Sequence, residues 1–193
     1  ISMKKVVFSI LVMSLSLAVS AQQQSWTNDP AHSRLGFVVK HLGISKISGS
    51  FSNFSVKVIT TKADYSDMKV SVTAKTASIN TGVEMRDNHL RSADFFEVEK
   101  YPELTFVSTS SKKISDKKFE LTGNLTMHGV TKPVTLTVDY YGSVVNPMNQ
   151  KETFGFHIAG TLKRTEFGIA PNFPTQVVGD DISIVADAEF VKE

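Results

Sequence analysis

KFELTGNLTM, residues 118–127, places Phe119, Leu121, Gly123, Leu125 and Met127 on one side of an extended chain and alternates them with polar residues. Successive side chains of a strand point to opposite faces, so an apolar period of two marks a strand with one wet and one dry face. The pattern repeats in both directions. Upstream, Leu35, Phe37 and Val39 share a face, followed by Ile47, Gly49 and Phe51. The phase then moves to Phe54, Val56 and Val58, as a β-bulge near Ser52–Asn53 requires. Val70, Val72 and Ala74 make a further strand that ends near Ile79, and ELTFVSTSSKKI, residues 103–114, leads into the quoted segment. Downstream come PVTLTVDYYGSV (133–144), ETFGFHIAGTL (152–162) and DISIVADAEFV (181–191). About eight strands result, with turns predicted at HGVTKP (128–133), NPMNQ (146–150) and VGDD (178–181).

Eight antiparallel strands in one all-β domain form a filled sandwich or an up-and-down barrel, and a barrel of that size can enclose one small ligand. Twelve of the 13 phenylalanines follow residue 21, and Gly49, Gly123 and Gly160 lie on the inward-type faces, where a packed core would place side chains. Both features predict a cavity, although a filled sandwich satisfies the alternation equally well. The expected apolar wall is Phe37, Phe54, Phe106, Leu121, Leu125, Val138, Phe154, Phe156 and Ile184.

RDNHLRSADFF, residues 86–96, interrupts the strands. TGVE at 81–84 matches a capping box in which Thr81 and Glu84 satisfy each other's backbone N–H groups, predicting a short helix over 81–92. Asp87 and Arg91, four apart, are expected to pair on its surface. Phe95–Phe96 reads as a plug, and Pro102 restarts a strand. Arg86, His89 and Arg164 are the candidates for holding a polar headgroup at an entrance through charge-assisted hydrogen bonds.

MKKVVFSILVMSLSLAVSA, residues 3–21, has the basic start, short apolar run and small-residue junction of a secretory signal peptide, with cleavage expected before Gln22. One domain, residues 22–193, would remain. Lys4 and Lys5 leave with the leader, so 21 basic against 19 acidic residues becomes 19 against 19. A neutral chain gives no reason to expect nucleic acid as a partner, and the apolar run is too short for a stable membrane span. The chain has no cysteine, which excludes thiol catalysis and thiolate metal sites.

Local signs of catalysis are missing: no G-x-S-x-G elbow, no Walker A, no dinucleotide fingerprint. The five histidines, at 32, 41, 89, 128 and 157, lack metal-ligand spacing. The expectation is a non-enzyme without cofactor, metal or catalytic residues.

DPAHSRLGFVVKHLGISKISGSFSNF, SINTG…RDNHLRSADFFEVEKYPELTF, LTGNLTMHGVTKPV and LKRTEFGI…VVGDDISI together resemble the YceI family of bacterial periplasmic proteins, from about Trp26 to Val191. The resemblance implies an extended, lipocalin-like eight-stranded antiparallel barrel with a short helix near its opening. It further implies a pocket for a long isoprenoid or similar amphiphilic lipid, such as a polyprenyl phosphate or a quinone, carried or stored in the periplasm. An enzyme acting on such a lipid and an exported interaction protein with a packed core are the alternatives, and a homodimer is left open.

Overall fold

The computed structural model describes residues 22–193; the leader read at 3–21 lies outside the described residues. The strands are β1 (Gln24–Asn28), β2 (Arg34–His41), β3 (Ser45–Phe51), β4 (Phe54–Thr60), β5 (Lys69–Lys75), β6 (Ile79–Asn80), β7 (Glu103–Ser115), β8 (Lys118–Met127), β9 (Val130–Val145), β10 (Glu152–Lys163) and β11 (Val178–Lys192). Among the described residues there is one α-helix, α1 (Glu84–Arg91), which stands between β6 and β7. Antiparallel pairing runs β1-β4-β5-β7-β8-β9-β10-β11, and β11 returns to β1, closing an eight-stranded barrel. β2, β3 and β6 prolong the wall beyond β1, β4 and β5, so three of the eight long strands are each broken once.

The breaks have local causes. After β1, the Asp29 carboxylate accepts the Ala31 N–H at 2.8 Å and caps a 3-10 turn over Pro30–His32. Pro30 has no N–H to offer a ladder. Between β3 and β4 the chain bends at Ser52 and Asn53, where the apolar phase shifts, and their N–H groups donate to the Ser78 carbonyl and hydroxyl at 3.1 Å each. Two other expected turns are corrected. Residues 178–181 open β11 rather than turn, with a register slip between the Val178↔His41 and Ile182↔Val39 pairs. The turn at 128 is only His128–Gly129, and Pro133 stands inside β9. Pro133 is tolerated because β9 pairs there with β8 alone; its ladder to β10 stops at Thr137↔Ala159.

Aromatic rings close one end of the barrel. Trp26, fully buried, meets Phe154 at 4.8 Å between centroids, and Phe154 meets Tyr65 at 4.7 Å and Phe190 at 5.0 Å. Tyr65 reaches this floor from the β4–β5 loop, and burial pushes its phenol up. Asp67 folds that loop by accepting from the Thr60 hydroxyl (2.5 Å), the Thr61 N–H (3.0 Å) and hydroxyl (2.5 Å), and the Lys62 N–H (3.2 Å). Burial raises the Asp67 carboxyl, but these four donors outweigh it and hold the group well below the usual carboxylate range.

At the other end the ladder leaves two gaps, one between β6 and β7 and one between β9 and the end of β10. α1 and residues 92–101 cover the first. The helix departs from expectation: it starts at Glu84, Val83 is its N-cap, and no side chain caps it. Asp87, only 6% exposed, instead accepts the Thr81 N–H at 2.8 Å and hydroxyl at 2.6 Å. Arg91 donates to the carbonyls of Ala77 (2.8 Å) and Ile79 (2.9 Å), so the expected Asp87–Arg91 pair does not form. A solvated pair is worth a few tenths of a kcal/mol, whereas backbone groups beside a packed helix cost more when left unbonded.

Residues 164–177 cover the second gap, and Arg164 organises them. Only 3% exposed, its guanidinium donates to the carbonyls of Gly179 (3.2 Å), Ile169 (3.1 Å), Ala170 (2.6 Å), Phe173 (2.8 Å) and Val178 (2.9 Å). Five donors meet five acceptors, the full capacity of the side chain. The two covers touch where Phe173 packs on Phe95, 4.9 Å between centroids, and on His89, 5.8 Å.

Two outcomes follow from these anchors. Lysine carries three donors in place of five, so Arg164→Lys should lower unfolding free energy by roughly 2–3 kcal/mol. Hydrogen exchange should then rise over residues 169–178 before it rises in the barrel strands. Asp67→Asn should cost roughly 1–3 kcal/mol at neutral pH. A carboxyl depressed by folding stabilises above its unfolded value of about 3.9 and loses that contribution as pH falls through the lower folded value. The deficit of Asp67→Asn against wild type in urea titrations should therefore be full at pH 7 and shrink below about pH 4.

Candidate functional site

Between the aromatic floor and the covered mouth lies a cavity of about 220 Å³. At ~10–15 Å³ per water-sized position, that is room for on the order of fifteen or more non-hydrogen atoms. The strands around the cavity alternate inward apolar residues with outward ones, so the side chains of the wall are hydrocarbon, aromatic ring and thioether, apart from Arg34 and Arg164. Arg34 precedes the inward Leu35 on β2, and Arg164 has no donor left to give.

Of the nine wall residues expected from sequence, Phe37, Phe54, Phe106, Leu121, Leu125, Val138, Phe156 and Ile184 line the cavity. Phe154 does not; it lies one layer deeper, in the floor against Trp26 and Phe190. The wall also includes Met68 from the β4–β5 loop, Leu90 from α1, the Phe95–Phe96 plug, and Ile169 from the second cover. None of these belongs to a strand alternation, so no periodicity could have flagged them.

The glycines act differently from the expectation. A Cβ at Gly49 would sit 2.4 Å from the Phe37 ring, one at Gly123 2.4 Å from the Phe106 ring, and one at Gly160 2.5 Å from Leu136. Each glycine thus makes space for a large neighbour on the adjoining strand rather than for an empty volume. The cavity persists because the strands curve into a closed ring.

Of the three polar candidates, Arg164 lies in the wall with its donors spent, and Arg86 and His89 stand outside it. Arg86 donates to the Thr81 hydroxyl (2.7 Å) and carbonyl (2.9 Å), and the exposed His89 bonds the Asp94 carboxylate at 3.0 Å. Neither lines the cavity. Two further histidine rings are committed: His128 to the Phe167 carbonyl (3.2 Å) and His157 to Asp187 (2.7 Å). Among the described residues, no serine or threonine hydroxyl bonds a histidine ring, so no nucleophile–base pair is assembled.

On the outer wall, Asp29, His32 and Glu189 bring their ligating atoms within 4.8 Å of one another, a grouping across distant strands that local spacing could not show. The Asp29 carboxylate holds His32 at 2.9 Å and raises its imidazole, while His32 lowers Asp29. These groups satisfy each other as an exposed ion pair, away from the cavity.

Comparison with known proteins agrees with this architecture. A UPF0312 protein of Staphylococcus aureus (strain USA300) is 39% identical over 170 residues, spanning 86% of this chain and 96% of that protein. The crystal structure of the Campylobacter jejuni YCEI protein is 36% identical with a TM-score of 0.73, covering 80% of this chain and 90% of its own. BcnA of Burkholderia cenocepacia superposes at 0.75 with 25% identity over 84% of this chain and 98% of that one. A Saccharophagus degradans domain described as polyisoprenoid binding shares the fold alone, at 14% identity and a TM-score of 0.62 over 87% of this chain and 98% of that one. The YceI-like domain model matches residues 26–190, and the chain belongs to that family.

Proposed function

We propose that the protein is a non-enzymatic carrier that holds the hydrocarbon chain of an isoprenoid or similar amphiphilic lipid inside the barrel. The observation that carries this reading is the apolar cavity whose one buried cation has no unspent donor. At ~24 cal/mol per Å³, an empty space of this size costs the fold about 5 kcal/mol. Burying ten methylene-sized groups in it gains about 8 kcal/mol before ordering costs. The description of the Saccharophagus degradans domain as polyisoprenoid binding supports the same ligand class. The leader read at residues 3–21 supports export, and the periplasm is where the reading places the protein.

The wall also constrains the ligand's orientation. A phosphate or other charged head inside would lose its water without gaining partners, at a cost of several kcal/mol. The head therefore stays at the mouth, where α1 presents Arg86 and His89. With room for on the order of fifteen atoms, the cavity takes about three isoprene units, so a quinone or polyprenyl phosphate would have one segment of its tail inside and its head outside.

Ile184→Trp fills the middle of the cavity with a larger apolar group. It should weaken binding of a fluorescent polyprenyl analogue at least tenfold while the far-ultraviolet dichroism of the barrel is unchanged. Undiminished binding in a folded variant would place the ligand elsewhere.

A further inference from the structure

The hairpin between β2 and β3 is built against its own conformational interest. The turn is His41–Leu42–Gly43–Ile44, closed by the Ile44 N–H on the His41 carbonyl at 3.2 Å. Leu42 has φ +51° and Gly43 φ +70°, the positive pair of a type I′ hairpin turn. Asparagine or aspartate favours the first of these positions, and leucine is disfavoured in left-handed backbone. The side chains gain little burial in exchange, because Leu42 is 53% exposed and Ile44 is 87% exposed.

The flanking charges are equally uneconomical. Lys40 and Lys46 stand directly opposite each other across the two strands. Like charges so placed repel, and among the described residues no carboxylate pairs with either ammonium. The tip belongs to the mouth end: the Leu42 N–H donates to the Val177 carbonyl of the second cover at 3.0 Å. At the same end the start of α1 adds Val83, 48% exposed, and Met85, 84% exposed.

We infer that the β2–β3 tip is a membrane-docking finger that seats in the headgroup zone of an anionic bilayer and brings the mouth against it. Leu42 and Ile44 would enter the acyl boundary, and Lys40 and Lys46 would meet lipid phosphates, where each near-surface lysine contributes roughly a fivefold gain in affinity. The apolar tip with its basic collar fits this surface and explains both disfavoured features. The inference extends the carrier reading, since a chain leaving a bilayer needs a mouth held at the surface. The β9–β10 hairpin at the opposite end also exposes Val144, Val145 and Met148, but the closed aromatic floor lies behind it.

Sedimentation of residues 22–193 with vesicles of phosphatidylglycerol and phosphatidylethanolamine tests this directly. Wild type should bind, less in high salt and far less to pure phosphatidylcholine. Leu42→Asn/Ile44→Ser should bind at least tenfold more weakly, and the asparagine suits the turn, so folding is not at risk. Lys40→Glu/Lys46→Glu should remove the salt-sensitive part, and Met148→Ser should behave as wild type. Absence of vesicle binding by wild type, equal binding by the tip variant, or a tip variant that merely turns a dimer into a monomer would overturn the inference. Binding of a fluorescent polyprenyl probe without vesicles, measured on wild type and tip variant alike, decides the carrier reading separately.

Discussion

Closure of the sheet at β1 is the constraint on which the interior depends. This short strand pairs with β4 through Gln24, Ser25, Trp26 and Thr27 on one side and, through Trp26, Thr27 and Asn28, with the end of β11 on the other. An open sheet of this length would expose two edges and let its apolar faces collapse together. Closed into eight strands, it can enclose a volume. Trp26 contributes twice, as a ladder residue and as the centre of the aromatic floor. Asn28 helps at the break beyond it, its side-chain carbonyl accepting the Val56 N–H at 2.7 Å.

With the floor sealed, traffic is left to the mouth, where the ladder has gaps and two covers take its place. Their construction separates stability from binding. Asp87, Arg91 and Arg164 carry charge, yet each is turned onto backbone groups that the irregular covers would otherwise leave unbonded. The lining is therefore apolar even where the chain is charged, and the chemistry of the site is exclusion of water. That arrangement suits holding a hydrocarbon chain.

Much of the barrel was legible because its strands keep one face dry. The long strands apart from β1, their inward residues and the bend at Ser52–Asn53 follow from a period of two and its single phase shift. β1 was not legible: QSWTN has one apolar residue, and its role comes from partners at least 30 positions away in β4 and at the end of β11. Depth was not legible either. Phe154 and Phe156 share a face, but only their height along the barrel axis puts one in the floor and the other in the cavity wall. Arg164 was misplaced for a related reason: a lone arginine reads as a ligand for anions until the carbonyls of residues 169–179 are seen to converge on it. The cavity itself was expected partly on a wrong ground, since Gly49, Gly123 and Gly160 admit neighbouring side chains.

Native mass spectrometry of the protein isolated from its own cells, followed by organic extraction, tests the central claim most directly. The account predicts one apolar chain bound per barrel, released intact on extraction and bearing its polar group at one end. A clean unliganded mass that stays unliganded on titration with long-chain polyprenyl phosphates and quinones would contradict it.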